Sequence, residues 1–182
     1  SFRNCDALTT ITIPATVTSI GEYAFYSCDN FASVTIPAAV KTIAQRAFYG
    51  CTKLTSVSTN EGLQEVGDYA FYNTRFASFA IPTTVYVLGT GVFEANTSLT
   101  SITIPTGVES LVSTFYGCSA LATVTFEPDS SCHTFGENAF RGTKIASITI
   151  PNKIILMGTH AFEKCTEITS INFGTDTSPE GR

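Results

Sequence analysis

An apolar motif returns eight times along these 182 residues, and its spacing constrains the fold more than any other feature. Leu8-Thr-Thr-Ile11-Thr-Ile13-Pro14 recurs as Phe31-Ala-Ser-Val34-Thr-Ile36-Pro37, as Leu99-Thr-Ser-Ile102-Thr-Ile104-Pro105 and as Ile145-Ala-Ser-Ile148-Thr-Ile150-Pro151. Degenerate copies start at Leu54, Phe76, Leu121 and Ile168, so successive starts lie 23, 23, 22, 23, 22, 24 and 23 residues apart. A fixed period in this range is the signature of a stacked repeat, in which no single unit buries its apolar face alone.

Every unit continues alike. A second apolar pair follows the Pro, as in Val17 and Ile20, Val40 and Ile43, or Val85 and Leu88. A Gly usually comes next, then an Ala-Phe pair such as Ala24-Phe25, Ala47-Phe48 or Ala139-Phe140. Three residues after that Phe stands Cys28, Cys51, Cys118 or Cys165, replaced elsewhere by Thr74, Asn96 and Thr143. All 14 Phe fall in apolar columns of this frame.

The residue types translate into local structure. Ile11 and Ile13 share one face of a short strand and Thr10 and Thr12 the other, and β-branched residues suit such a strand. Pro14 removes a backbone donor and ends it. The second pair predicts another short inward-facing strand, and Ala-Phe-x-x-Cys a helical or 3₁₀ turn whose Phe plugs the core. The frame therefore predicts one β-rich solenoid of stacked 22–24-residue coils over residues 1–173, with seven units plus a half unit at each end and a polar tail over 174–182. Phe2 and Cys5 stand in the columns of Phe25 and Cys28, so the chain is expected to be a window on a longer array, its targeting signal out of view. Three departures are expected as local loops: Thr59-Asn60 in place of Ile-Pro, one residue missing before Phe115, and an extra residue after Phe126-Glu127-Pro128.

The pattern L-x-x-I-x-I-P-x-x-V-x-x-I-G-x-x-A-F-x-x-C resembles the BspA-type leucine-rich repeat, a 23-residue class of bacterial and protist surface proteins. That resemblance implies a non-catalytic module at the cell surface or outside the cell, adhering to a protein or glycan ligand.

Composition narrows the partners. Net charge is −5 and the pI is near 4.9, which offers no basic field for nucleic acid or anionic lipid. No apolar run approaches the ~20 residues of a membrane-spanning helix, so this segment is not expected to insert in a membrane. Charged residues are 14% of the chain, whereas 29 Thr and 17 Ser make up a quarter, so hydroxyls must supply much of the surface polarity.

Little in the sequence points to catalysis or a cofactor. Five of the six Cys share one column, which spreads them along the solenoid axis instead of converging them on a metal. They are expected to be free, buried thiols bonding a neighbouring backbone, with Cys132 a small core residue near the Val17 position. His133 and His160 sit in different columns of adjacent units, and no Ser or Cys stands in a nucleophile motif with either. Asn96-Thr97-Ser98 has the form of a glycosylation sequon but occupies the buried column.

The outward columns carry the candidate sites. On the first strand they form a ladder of small hydroxyls: Thr10, Thr12, Ser33, Thr35, Ser101, Thr103, Thr123, Thr125, Ser147 and Thr149. Such a ladder raises an ice-binding reading beside that of an ordinary solvent face. On the second strand the columns vary: Lys41, Gln64, Glu65, Tyr86, Val87, Glu109, His133, Ile155 and Leu156. Variation on a rigid repeat is what a recognition surface requires, and the apolar members are candidate anchors. Tyr26, Tyr49, Tyr72 and Tyr116 form a further ladder, read as coil-on-coil stacking or a stripe for self-association or carbohydrate. The alternative role for the whole is a structural component whose ends stack on further repeats or other domains of the same assembly.

Overall fold

The structure is a computed structural model that describes residues 1–174. It is a parallel β-solenoid of about seven coils. In chain order its strands are β1 (Ser19–Ile20), β2 (Ser33–Thr35), β3 (Thr42–Ile43), β4 (Ser56–Ser58), β5 (Glu65–Val66), β6 (Val87–Leu88) and β7 (Ser101–Ile104). There follow β8 (Ser110–Leu111), β9 (Thr123–Phe126), β10 (Thr134–Phe135), β11 (Ser147–Ile150), β12 (Leu156–Met157) and β13 (Ser170–Phe173). Pairing runs one repeat apart. On the first face Ser33 meets Ser56, Ser101 meets Thr123 and Ser147 meets Ser170. On the second, Ser19, Thr42, Glu65 and Val87 form one row and Ser110, Thr134 and Leu156 another. Of the expected tail, Gly174 still donates its N–H to Ile150 at 2.8 Å, and residues 175–182 lie outside the described residues.

The Ala-Phe segment corrects one expectation: it is neither α-helical nor 3₁₀. Its N–H groups alternate. Those of Phe25 and Ser27 cross to the carbonyls of Ala47 and Tyr49 in the next coil, both at 2.7 Å. Those of Ala24, Tyr26 and Cys28 close turns onto Gly21, Tyr23 and Phe25 at 3.2–3.3 Å. A helix would return every N–H along its own chain, whereas stacking takes alternate ones for the neighbour. Two left-handed residues per coil make this possible, at Tyr23 (φ 54°) and Ser27 (φ 51°) in one coil and at Arg46 (φ 53°) and Gly50 (φ 71°) in the next. Glycine takes that conformation without the cost a side chain incurs.

Phenylalanines form the spine. Rings of Phe25, Phe48, Phe71, Phe93, Phe115, Phe140 and Phe162 stack with centroids 5.0–5.9 Å apart and planes within 18°. Beside them runs the thiol column, and four of its five members behave as the spacing predicts; Cys5, in the first half unit, is only half-buried and its Sγ–H turns to the Arg3 carbonyl of its own coil. Cys28, Cys51, Cys118 and Cys165 are buried, and each Sγ–H donates to a carbonyl of the preceding coil, those of Phe2, Phe25, Phe93 and Phe140, at 2.9–3.1 Å. All six Cys are free. Burial pushes the Cys51 and Cys118 thiols up to about 12 and that of Cys132 to about 11. Asn96 is also buried; its Nδ2 donates to Thr74 Oγ1 at 2.9 Å and its Oδ1 has no partner.

The first sheet is interrupted twice, and one feature of the sequence accounts for both breaks. From the buried column to the next leading residue, most coils take three steps: Cys28 to Phe31, Cys51 to Leu54, Asn96 to Leu99, Cys118 to Leu121, Cys165 to Ile168. Thr74 to Phe76 and Thr143 to Ile145 take two. In three-step coils the N–H after the leading residue bonds back one coil, as Ala32 does to Thr9 (2.9 Å), Thr100 to Ala77 (3.1 Å) and Thr169 to Ala146 (2.8 Å). In the two short coils the donor is instead the residue before the leading one and the acceptor the leading residue of the preceding coil, Arg75 to Leu54 and Lys144 to Leu121, both at 2.9 Å. The strand that follows then runs on without a ladder: among the described residues β4 does not pair with residues 76–81, nor β9 with β11. The irregularity of the sixth unit is also larger than expected. Phe126 to Cys132 takes six steps where Ile13 to Val17 takes four, so two residues are inserted there and the shortened step hides one of them.

Candidate functional site

The variable second-strand positions stand where the repeat frame puts them, but on two separate rows. Gln64 N–H donates to the Lys41 carbonyl at 2.8 Å and Tyr86 N–H to the Gln64 carbonyl at 3.0 Å, which joins Lys41, Gln64, Glu65, Tyr86 and Val87 into one surface. His133 N–H donates to Glu109 and Ile155 N–H to His133, each at 2.9 Å, which joins Glu109, His133, Ile155 and Leu156 into a second. Between them β6 and β8 do not pair. Tyr86 is 47% exposed and its hydroxyl donates to Glu65 Oε1 at 3.0 Å, which ties this ring to the preceding coil. The Glu65 carboxylate beside it raises the phenol's pKa. Ile155 (84% exposed) and Leu156 (53%) belong to the last complete coil. His133 Nε2 lies 3.7 Å from Glu109 Oε2, whereas His160 pairs with Glu163 in its own turn.

The hydroxyl ladder keeps its outward face but not its continuity. Thr10, Ser33 and Ser56 form one stretch, Ser78, Ser101 and Thr123 a second, Ser147 and Ser170 a third. Thr12, Thr35, Thr103, Thr125 and Thr149 follow the same three blocks and are exposed; Ser33 is half-buried. Two breaks among eight rungs interrupt the regular lattice that ordering of water would need. The tyrosine ladder resolves towards packing. Tyr26, Tyr49 and Tyr72 stack at 5.0 and 4.4 Å with planes within 9°, and Arg3 and Arg46 lie over neighbouring rings at 4.8–6.0 Å. Their faces are occupied by one another and by guanidinium groups, which leaves edges and hydroxyls outward.

The two breaks differ in a way the sequence reading missed. At the first, Phe79 stands where other coils have Ile or Val; it is buried against Phe71, Phe76 and Phe93 with centroids 5.0–5.2 Å away. At the second the corresponding residue is Ile148, facing Val124, and a cleft of about 750 Å³ remains between β9 and β11. Its walls are Thr123–Phe126 and Ser147–Ile150, and its ends are the inserted loop at Glu127–Ser130 and the turn Pro151–Lys153. Lys153 Nζ donates to the Asp129 carbonyl at 3.3 Å across one end. Glu127 accepts from Thr106 N–H and Oγ1 at 3.3 and 3.4 Å, fixing that loop to the preceding coil. Asp129 is left-handed (φ 57°), the one such residue outside the regular turn positions among the described residues. The signal that finds this cleft is the two-step interval Thr143–Ile145 combined with an insertion one coil earlier. The spacing of 24 shows only their difference.

Among the described residues no group of three His, Cys, Asp or Glu is placed to hold a metal ion, and no helix is long and apolar enough to cross a membrane. A family model for the BspA-type leucine-rich repeat region matches in six copies, over residues 1–99 and 93–179. Among solved structures, a leucine-rich cell surface protein from Faecalibacterium prausnitzii is 32% identical with a TM-score of 0.82, over 94% of this chain and 49% of its own. A leucine-rich repeat protein from Bacteroides ovatus is 26% identical with a TM-score of 0.72, over 95% of this chain and 57% of its own. The chain thus spans about half the length of these two relatives. A comparison with curated proteins gave no match.

Proposed function

The chain belongs to the BspA-type leucine-rich repeat family, and we propose that it serves as a non-catalytic adhesion module which presents a rigid surface to a protein or glycan at the cell surface. The observation that carries this reading is the row Lys41, Gln64, Glu65, Tyr86 and Val87. It joins an exposed aromatic, an aliphatic neighbour and both signs of charge on one backbone-locked sheet. A preformed surface of this kind loses little conformational entropy on binding, so modest contacts can sum to useful affinity. The cell-surface setting is supported by the F. prausnitzii relative, itself described as a cell surface protein.

The double substitution Tyr86→Ala/Val87→Ala tests the surface. Both side chains are exposed, so thermal unfolding is expected to shift by no more than about 0.5 kcal/mol. Retention on an array of immobilised glycans and extracellular proteins is expected to fall about tenfold or more, as for loss of an aromatic anchor. Unchanged retention of every ligand bound by the parent would overturn the assignment. A second reading, stacking as a structural component, draws on apolar side chains bare at both ends, Phe2 at one and Met157, Ile171 and Phe173 at the other. Sedimentation of the same preparations separates the two readings: a mass that rises with concentration and ignores Tyr86 favours stacking.

A further inference from the structure

We propose that the slot between the rings of Tyr72 and Tyr116, with the Glu94 carboxylate at its base, is a binding site for an arginine side chain of a protein ligand. It rests on the reading of this chain as a binding module, but lies along the Ala-Phe turns and not on the Tyr86 row.

The residue after each Phe of the spine forms a column that is in contact from coil to coil at both of its ends. Arg3 lies over Tyr26 at 4.8 Å, Tyr26 stacks on Tyr49 at 5.0 Å and Tyr49 on Tyr72 at 4.4 Å. Further on, Arg141 lies over Tyr116 at 5.4 Å, and its Nη2 donates to Glu163 Oε1 at 2.8 Å. Between these two runs stands Glu94, so Tyr72 and Tyr116 are two coils apart. One face of Tyr72 is taken by Tyr49 and one face of Tyr116 by Arg141; the other two look towards each other along the axis. Two sheet spacings put such rings about 9–10 Å apart. A flat group touching both at ~3.5–4 Å fills about 7–8 Å of that distance. Tyr116 is 36% exposed and Tyr72 and Glu94 are half-buried, so the slot opens to solvent.

Glu94 leaves the slot clear. Its Oε2 turns back over Gly91, to 3.0 Å from where a side chain on that glycine would begin, beside the edge of the Tyr69 ring. Gly91 gives it room where the three preceding coils carry Tyr23, Arg46 and Tyr69. Among the described residues no cation pairs with this carboxylate, and burial raises its pKa. A bound cation offsets what burial costs the charge.

The molecule itself shows which cation fits. In the neighbouring column Arg46 lies between Tyr23 and Tyr69, also two coils apart, with its Cζ 5.8 and 5.6 Å from the two ring centres. Arg141 adds the third element, a guanidinium held between a ring and a carboxylate. The slot unites the two rings of the first arrangement with the carboxylate of the second. A guanidinium is flat, stacks on aromatic faces and meets a carboxylate through paired N–H groups, which an ammonium does not.

The probe is an acetylated, amidated Gly-Ser-Arg-Ser-Gly peptide, added to the full chain and followed by amide chemical shifts. The same peptide with citrulline or lysine in place of arginine is run beside it. Saturable millimolar shifts centred on Tyr72, Gly91, Glu94 and Tyr116 are expected. Citrulline keeps the shape without the charge and should bind at least about fivefold more weakly. Glu94→Gln should weaken the arginine peptide at least about threefold. Glu94→Arg should abolish its binding, because the chain then supplies its own guanidinium between the rings, and it serves if Glu94→Gln does not fold. No saturable shift up to tens of millimolar, equal binding of the citrulline or lysine peptide, or unchanged binding by either folded variant overturns the proposal. Tyr86→Ala/Val87→Ala should bind the peptide as the parent does, so the slot and the Tyr86 row can fail separately.

Discussion

Phe71→Ala is expected to destabilise the chain by about 3–5 kcal/mol, the range for deleting a fully buried aromatic from a core that cannot collapse around the space. Phe71 is the most connected ring of the spine: its centroid lies 5.3 Å from Phe48, 5.4 Å from Phe76, 5.2 Å from Phe79 and 5.9 Å from Phe93. Stacking on two neighbours is also what makes a middle coil cooperative with the rest, because each repeat is stabilised through its interfaces. The comparison that isolates the effect is Phe2→Ala. Phe2 occupies the same column and stacks on Phe25 at 5.4 Å, but it stands at the end of the stack and is 42% exposed. Urea unfolding should place the Phe2 variant within about 1 kcal/mol of the parent. Similar losses for the two would mean that column position, not two-sided stacking, sets the energy.

The second large effect is on the alkaline side. Cys51 and Cys118 titrate near 12 and Cys132 near 11 when folded, against 9.0 for an unperturbed thiol, and in each case burial disfavours the thiolate. Between pH 9 and those values the folded chain keeps protons that the unfolded chain releases. Stability therefore holds below pH 9 and falls as pH rises through 9 to about 12. Each thiol contributes about 1.4 kcal/mol per pH unit, so the three together give a slope of about 4 kcal/mol per unit near pH 10. Burial raises the Tyr49 and Tyr69 phenols too, which steepens the fall at its upper end. Denaturant midpoints from pH 7 to 11 check this. The triple variant Cys51→Thr, Cys118→Thr, Cys132→Val uses residues already present in these columns and should flatten most of the slope. An unchanged slope would show that buried thiols are not its source.

The repeat made most of the fold legible because stacking forces periodicity on the side chains. A buried thiol column, a Phe spine and outward strand positions follow once Cys28, Cys51 and Cys118 recur beside Phe25, Phe48 and Phe115. What stayed hidden depends on backbone hydrogen bonds, which side-chain periodicity does not report. The Ala-Phe segment has the small-then-large pattern of a tight helical turn, yet its N–H groups alternate between its own turn and the next coil. The opened sheet is hidden for the opposite reason: two inserted residues after Phe126 and one missing before Ile145 nearly cancel, so a count of repeat lengths passes over both. Second-strand positions such as Tyr86 were legible as candidates, but the gap between β6 and β8 that divides them into two surfaces was not.

A single missing residue before Ile145 opens the first sheet between β9 and β11. Amide hydrogen exchange tests it most directly. Thr125, inside the intact β7–β9 pair, should be protected, and Thr149, one coil on at the corresponding position, should exchange at least about 100-fold faster because β11 forms no ladder with β9. Thr149 protected as strongly as Thr125 would show that the ladder is closed, and the cleft with it.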